Sequence, residues 1–247
     1  IADYSLTPTV AIVDPALVLT VPGSVAADTG MDVLTHATEA YVSQMASDYT
    51  DGLALQAIKL VFENLESSVK NADFHSREKM HNASTIAGMA FANAFLGISH
   101  SMAHKIGAQF HTIHGRTNAI LLPYVIRYNG TRPAKTATWP KYNYYRADEK
   151  YQDIARMLGL PCSTPEEAVD AYAKAVYELG ERVGIQMNFK AQGIDEKEWK
   201  KHSRELAFLA YEDQCSPANP RLPMVDHMQE IIEDAYYGYK ERPGRRK

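Results

Sequence analysis

The sequence predicts a mainly α-helical domain with one short strand at its N-terminal end, and three observations lead there. From Pro22 onward apolar residues recur every three or four positions between Gly, Pro and Asn breaks, the period of helices with one buried face. Only residues 9–13, Thr-Val-Ala-Ile-Val, form a compact β-branched run, closed by Asp14-Pro15, and this reads as a buried strand. Four of the nine histidines fall between Leu96 and Pro123, so the helices are expected to build a site. A lone strand cannot satisfy its own backbone groups, so it is expected to complete a sheet whose other members are missing from this chain. The division that follows is 1–21 as strand and linker and 22–247 as a helical metal-binding domain.

Pro22 and Ser24 mark a helix start, and the segment runs to about Gln44 with a break expected near Gly30. Ser47 and Asp48 are N-cap candidates for a helix in which Leu53, Ala57, Leu60, Val61 and Leu65 share a face. Residues 76–95 contain STIAGMAFANAF, small and apolar on all sides, as in a helix buried all round. Gly97 breaks that helix and Ser99 is placed to cap the histidine helix that follows; Gly115 then separates His114 from an apolar helix over 118–128. The stretch 129–148 lacks periodicity and reads as a long loop whose Trp139, Tyr142, Tyr144 and Tyr145 are candidates for a partner contact. Helices resume near 149–158, 164–183, 195–211 and 223–237.

Composition narrows the function. A formal net charge of -4 over 247 residues leaves no basic field for nucleic acid, and the GRRK cluster at the C-terminus reads as a solvated tail. No apolar run approaches the roughly 18 residues of a membrane span, and the first residues show no signal-peptide pattern. Cys162 and Cys215 form no C-x-x-C pair, which favours a reduced, cytoplasmic setting.

Two clusters carry chemistry. His100 and His104 are four apart and share a helical face, with His111 and His114 close behind; Asp28, Asp32, His36 and Glu39 are spaced 4, 4 and 3 on another helix. Together they offer the mixed nitrogen and oxygen donors that take a divalent transition ion. Spacing alone leaves the division open: His104 or His111 could be a ligand, and Asp28 or Glu39 could be the carboxylate. Isolated His75, His81, His202 and His227 read as packed or capping imidazoles.

The order GMDVLTH at 30–36, HSMAHKIG at 100–107 and IHGRTNA at 113–119 resembles the iron-dependent (group III) alcohol dehydrogenases. The wording of ANAFLGISHSMAHKIGAQFH and DQCSPANPRLP is similar to the alcohol dehydrogenase half of bacterial bifunctional aldehyde-alcohol dehydrogenases. The resemblance implies the helical C-terminal domain of a two-domain, dehydroquinate synthase-like fold. It implies Asp32, His36, His100 and His114 as metal ligands, and His104 beside the metal as the candidate catalytic residue that passes the hydroxyl proton. It also implies Leu17, His104 and Cys215 as cofactor contacts. The implied cofactors are Fe(II), which zinc can replace in a purified sample, and NAD.

One departure from the family stands out. The glycine-rich pyrophosphate loop is missing, since none of the 14 glycines is adjacent to another or spaced as G-x-G. The nucleotide-binding domain is therefore expected to lie outside this chain, which alone is expected to be inactive. The implied reaction is interconversion of a short aldehyde, acetaldehyde by resemblance, with its primary alcohol. Implied partners are upstream nucleotide-binding and aldehyde dehydrogenase domains and a homo-oligomer or filament, to which the 129–148 loop could contribute. A glycerol or polyol dehydrogenase of the same superfamily is the alternative, against which the DQCSPANPRLP ending argues. A helical His/Asp phosphohydrolase typically shows an adjacent His-Asp pair, and this chain has none.

Overall fold

The computed structural model describes residues 4–133 and 145–238. Trp139, Tyr142 and Tyr144 and the basic C-terminal cluster lie outside the described residues. Nine α-helices are present among those described: α1 Gly23–Val42, α2 Asp48–Lys70, α3 Phe74–Ala94, α4 Ile98–Phe110, α5 His114–Gly130, α6 Ala147–Met157, α7 Pro165–Arg182, α8 Glu196–Tyr211 and α9 Val225–Tyr237.

The expected N-terminal strand is not there. No strand forms among the described residues, and in the 9–13 run Val10 is 75% and Ile12 88% exposed. A β-branched run expresses a preference for extended backbone, but a strand exists only with a ladder partner, and none is present among the described residues. A 3-10 turn, Pro15–Val18, follows, with Asp14 Oδ1 accepting from the N–H of Ala16 at 2.9 Å.

Local chemistry explains four of the nine described helix starts. Ser47 and Thr50 form a reciprocal capping box on α2, Asp73 accepts from the N–H of Ser76 on α3, Thr164 caps α7 ahead of Pro165, and Asp195 caps α8. Three expectations are revised. α1 runs through Gly30 unbroken, because that glycine is buried against Leu65 of α2, where a Cβ would sit 2.2 Å from Leu65 Cδ1. α4 starts on Gly97 rather than on Ser99, and α5 starts at His114 itself.

Two apolar cores meet on α5. Ala119, Leu122 and Ile126 of α5 join a core built with α1, α2, α3, α6 and α7, where Ala83, Ala87, Ala90 and Ala94 of α3 let the helices approach closely. Ile120, Leu121, Tyr124 and Val125 join the second, with α4, α8 and α9, in which Trp199 stacks between Phe189 and Tyr236 at 4.8 and 4.9 Å. α5 is thus a wall shared by both cores, and the clustered histidines lie along the line where α1, α4 and α5 meet. No single described helix is long and apolar enough to cross a membrane; α3 and α4 pass that test only as a pair, bent by 106°.

Candidate metal centre

α1 presents Asp28, Asp32, His36 and Glu39 along one side, α4 presents His100 and His104, and α5 opens on His114. Helix packing brings these into contact. Asp32 Oδ1 lies 3.7 Å from both His100 Nε2 and His114 Nε2, and Asp32 Oδ2 lies 4.0 Å from His36 Nε2. The rings of His36 and His100 stack at 4.6 Å between centroids, with Phe91 stacked on the far side of His36 at 4.6 Å; His100 and His114 are 5.4 Å apart. This meeting needs Gly115. A Cβ there would sit 2.2 Å from the backbone oxygen of Asp28, so no larger residue lets α5 come this close to α1.

The electrostatics suit a cation. Burial, reinforced by the neighbouring His100, lowers His36 to about 4, and burial lowers His100 to about 3, so both rings are neutral and offer lone pairs. His100 Nε2 is buried with no hydrogen-bond partner, which is costly unless another group takes the lone pair. Two donors on one tetrahedral ion at about 2.0–2.1 Å are roughly 3.4 Å apart. The 3.7–4.0 Å separations around Asp32 are close to that value. One carboxylate and three imidazoles therefore fit a divalent transition ion. Asp32 and His36 are about one-fifth exposed and His114 is 44% exposed, so the cluster opens to the outside on the His114 side.

Other predicted residues fall elsewhere. His104 lies beside the cluster, its ring stacked on His114 at 5.5 Å and its Nδ1 held 3.2 Å from Asp213 Oδ2. Burial pushes Asp213 up, but hydrogen bonds from Lys105, the Cys215 N–H and His104 outweigh it and hold the carboxyl below its ordinary range. Cys215 is buried in the same group, its thiol raised by burial to about 12. Leu17 is 76% exposed on the 3-10 turn before α1 and takes no part in the contacts that join the cluster. Asp28 is turned away into a two-pronged pair with Arg116, at 2.9 and 3.0 Å. His111 ends α4 in the left-handed conformation and borders a separate cleft of about 540 Å³.

Sequence reasoning missed Asn118. Its amide nitrogen donates to Asp32 Oδ1 at 2.8 Å and approaches His114 Nε2 at 3.1 Å, while Ser99 Oγ faces its oxygen at 3.3 Å. The available signal was its place one turn after His114, on the same face of α5.

The C-terminal description of the Fe-containing alcohol dehydrogenase family matches residues 26–236. The chain belongs to that family. Among its relatives, an aldehyde-alcohol dehydrogenase of Streptococcus pneumoniae serotype 2 (strain D39 / NCTC 7466) is 96% identical over 247 residues, all of this chain and 28% of that protein. The iron-containing alcohol dehydrogenase of Thermococcus thioreducens is 35% identical with a TM-score of 0.82, covering 96% of this chain and 57% of that one. A sulfoacetaldehyde reductase from Bifidobacterium kashiwanohense, solved in complex with NAD+, is 30% identical with a TM-score of 0.73, covering 91% and 54%. The chain thus spans between about a quarter and three-fifths of these relatives. Membership of an alcohol dehydrogenase family removes the ground for the phosphohydrolase reading.

Proposed function

We propose that this chain is the metal-binding domain of an NAD-dependent alcohol dehydrogenase that interconverts a short aldehyde, acetaldehyde, with ethanol. The observation that carries the proposal is the convergence of Asp32, His36, His100 and His114 around a buried imidazole nitrogen that has no partner. In this reading those four residues hold Fe(II), with zinc able to take its place. When bound, the ion acts as a Lewis acid on the substrate oxygen and eases loss of the alcohol proton.

The chain's own residues do the rest. Asp32 supplies the single negative charge of the ligand set, and Asn118 fixes that carboxylate by donating to Oδ1. His104 is half on the surface, 36% exposed, with Nδ1 engaged by Asp213. That leaves Nε2 to accept the substrate proton and hand it to water. Leu17 and Cys215 are proposed to border the nicotinamide. The nucleotide itself requires a phosphate-binding loop that this sequence lacks, so the chain is proposed to work with a nucleotide-binding domain; its similarity to an aldehyde-alcohol dehydrogenase supports an aldehyde dehydrogenase domain as a further partner, and a cytoplasmic homo-oligomer or filament is proposed with it.

The test compares the 247-residue chain with the polypeptide that adds the nucleotide-binding domain. Both are expected to bind one divalent ion per chain, and only the longer is expected to oxidise NADH with acetaldehyde. NADH oxidation by the 247-residue chain alone would overturn the two-domain reading, and failure of both to bind an ion would overturn the metal reading.

A further inference from the structure

Glu39 lies outside the proposed ligand set, yet it touches a member of it. The side chain is 2% exposed, on α1, between two donors of α4. Oε1 accepts from the backbone N–H of Ser99 at 2.7 Å, and Oε2 faces His100 Nδ1 at 2.5 Å. The approach is tight: a Cβ on Gly97 would stand 2.9 Å from Oε1. A neutral imidazole has one N–H and one lone pair, and the nitrogen facing an oxygen of an ionised carboxylate carries the proton. The lone pair then sits on Nε2, the buried atom without a hydrogen-bond partner, 3.7 Å from Asp32 Oδ1.

We propose that Glu39 is a positioning residue that selects the tautomer of His100, holding the proton on Nδ1 so that Nε2 is bare and aimed at the ion. The inference rests on the metal reading above and adds to it a residue outside the ligand set. A carboxylate is required because both of its oxygens face donors. Glutamine has nearly the same shape but one oxygen and one NH2. The Ser99 N–H belongs to the first turn of α4 and cannot reverse, so it claims the amide oxygen. The NH2 then faces Nδ1, which can accept only if the imidazole proton moves to Nε2. The proton would occupy the atom the ion needs. A residue that merely filled space would tolerate the change, since the volume is conserved.

The test titrates Co(II) or Zn(II), against a chromophoric chelator, into the metal-free natural full-length protein. Glu39→Gln is expected to lower affinity by roughly 10–100-fold, the effect typical of removing a ligand's hydrogen-bond partner, while the metal-free unfolding curve stays near that of the unsubstituted protein. Unchanged affinity and an unchanged Co(II) spectrum in Glu39→Gln would overturn the inference. His36→Ala separates the two claims. If it loses the ion while Glu39→Gln keeps it, only the tautomer role falls; if it also keeps the ion, the site reading falls and takes the inference with it. Should Glu39→Gln not fold, solid-state 15N spectra of the histidine-labelled, metal-free protein decide, with His100 assigned by difference from His100→Gln. A protonated Nδ1 and a bare Nε2 at neutral pH are expected, and the reverse pattern would overturn the inference.

Discussion

Replacing His100 with alanine, in the polypeptide that includes the nucleotide-binding domain, is expected to cost the protein its ion and to lower NADH-linked turnover by about 10³-fold or more. A Lewis acid supplies several kcal/mol of charge stabilisation, and each 1.36 kcal/mol is about tenfold in rate. His100 is 1% exposed and stands between His36, His114, Asp32 and Glu39, so its loss removes a donor from the middle of the cluster. The substitution also strips Glu39 Oε2 of its imidazole partner in a fully buried setting. An orphaned buried acceptor costs about 1–3 kcal/mol, so a lower unfolding temperature is expected as well. Metal per chain by mass spectrometry, with acetaldehyde-dependent NADH oxidation, checks both effects. Metal content equal to that of the unsubstituted protein would remove His100 from the ligand set.

His104→Ala is expected to separate the two roles that its motif leaves entangled. The ion should remain, because Asp32, His36, His100 and His114 are untouched, while turnover should fall by about 10²–10⁴-fold, the range for loss of a general acid or base. The ring is partly exposed, and Asp213 keeps Lys105 at 2.8 Å and the Cys215 N–H at 3.0 Å when it is gone, so the fold should hold. The same pair of assays applies. Loss of the ion in His104→Ala would mean that the second histidine of α4, not the first, coordinates it.

Local signals carried the helical part of this architecture. Ser47, Asp73, Thr164 and Asp195 cap their helices through their own neighbours in sequence, and the spacing of Asp28, Asp32, His36 and Glu39 places them on one side of α1. Where the reading departed from the structure, long-range contacts decided. Residues 9–13 have strand chemistry, but pairing is a property of two segments. Ser99 was a sensible cap for α4, yet its N–H is satisfied by Glu39 from α1, and the N–H of Ile98 is held at 3.4 Å by Asn219 Oδ1, 121 residues away. The first turn of α4 therefore needs no capping side chain of its own, and Gly97 can occupy the N-cap. Spacing likewise could not divide the carboxylates. Asp28 is claimed by Arg116, Glu39 by His100, and only Asp32 faces three imidazoles at 4.0 Å or less.

One ion is expected to sit among Asp32, His36, His100 and His114. Anomalous diffraction at the absorption edge of bound iron or zinc tests it most directly. The expected result is a single peak per chain within about 2.0–2.2 Å of an Asp32 oxygen and the Nε2 atoms of the three histidines, with His104 outside that sphere. A peak elsewhere, or one in which His104 replaces His100, would contradict it.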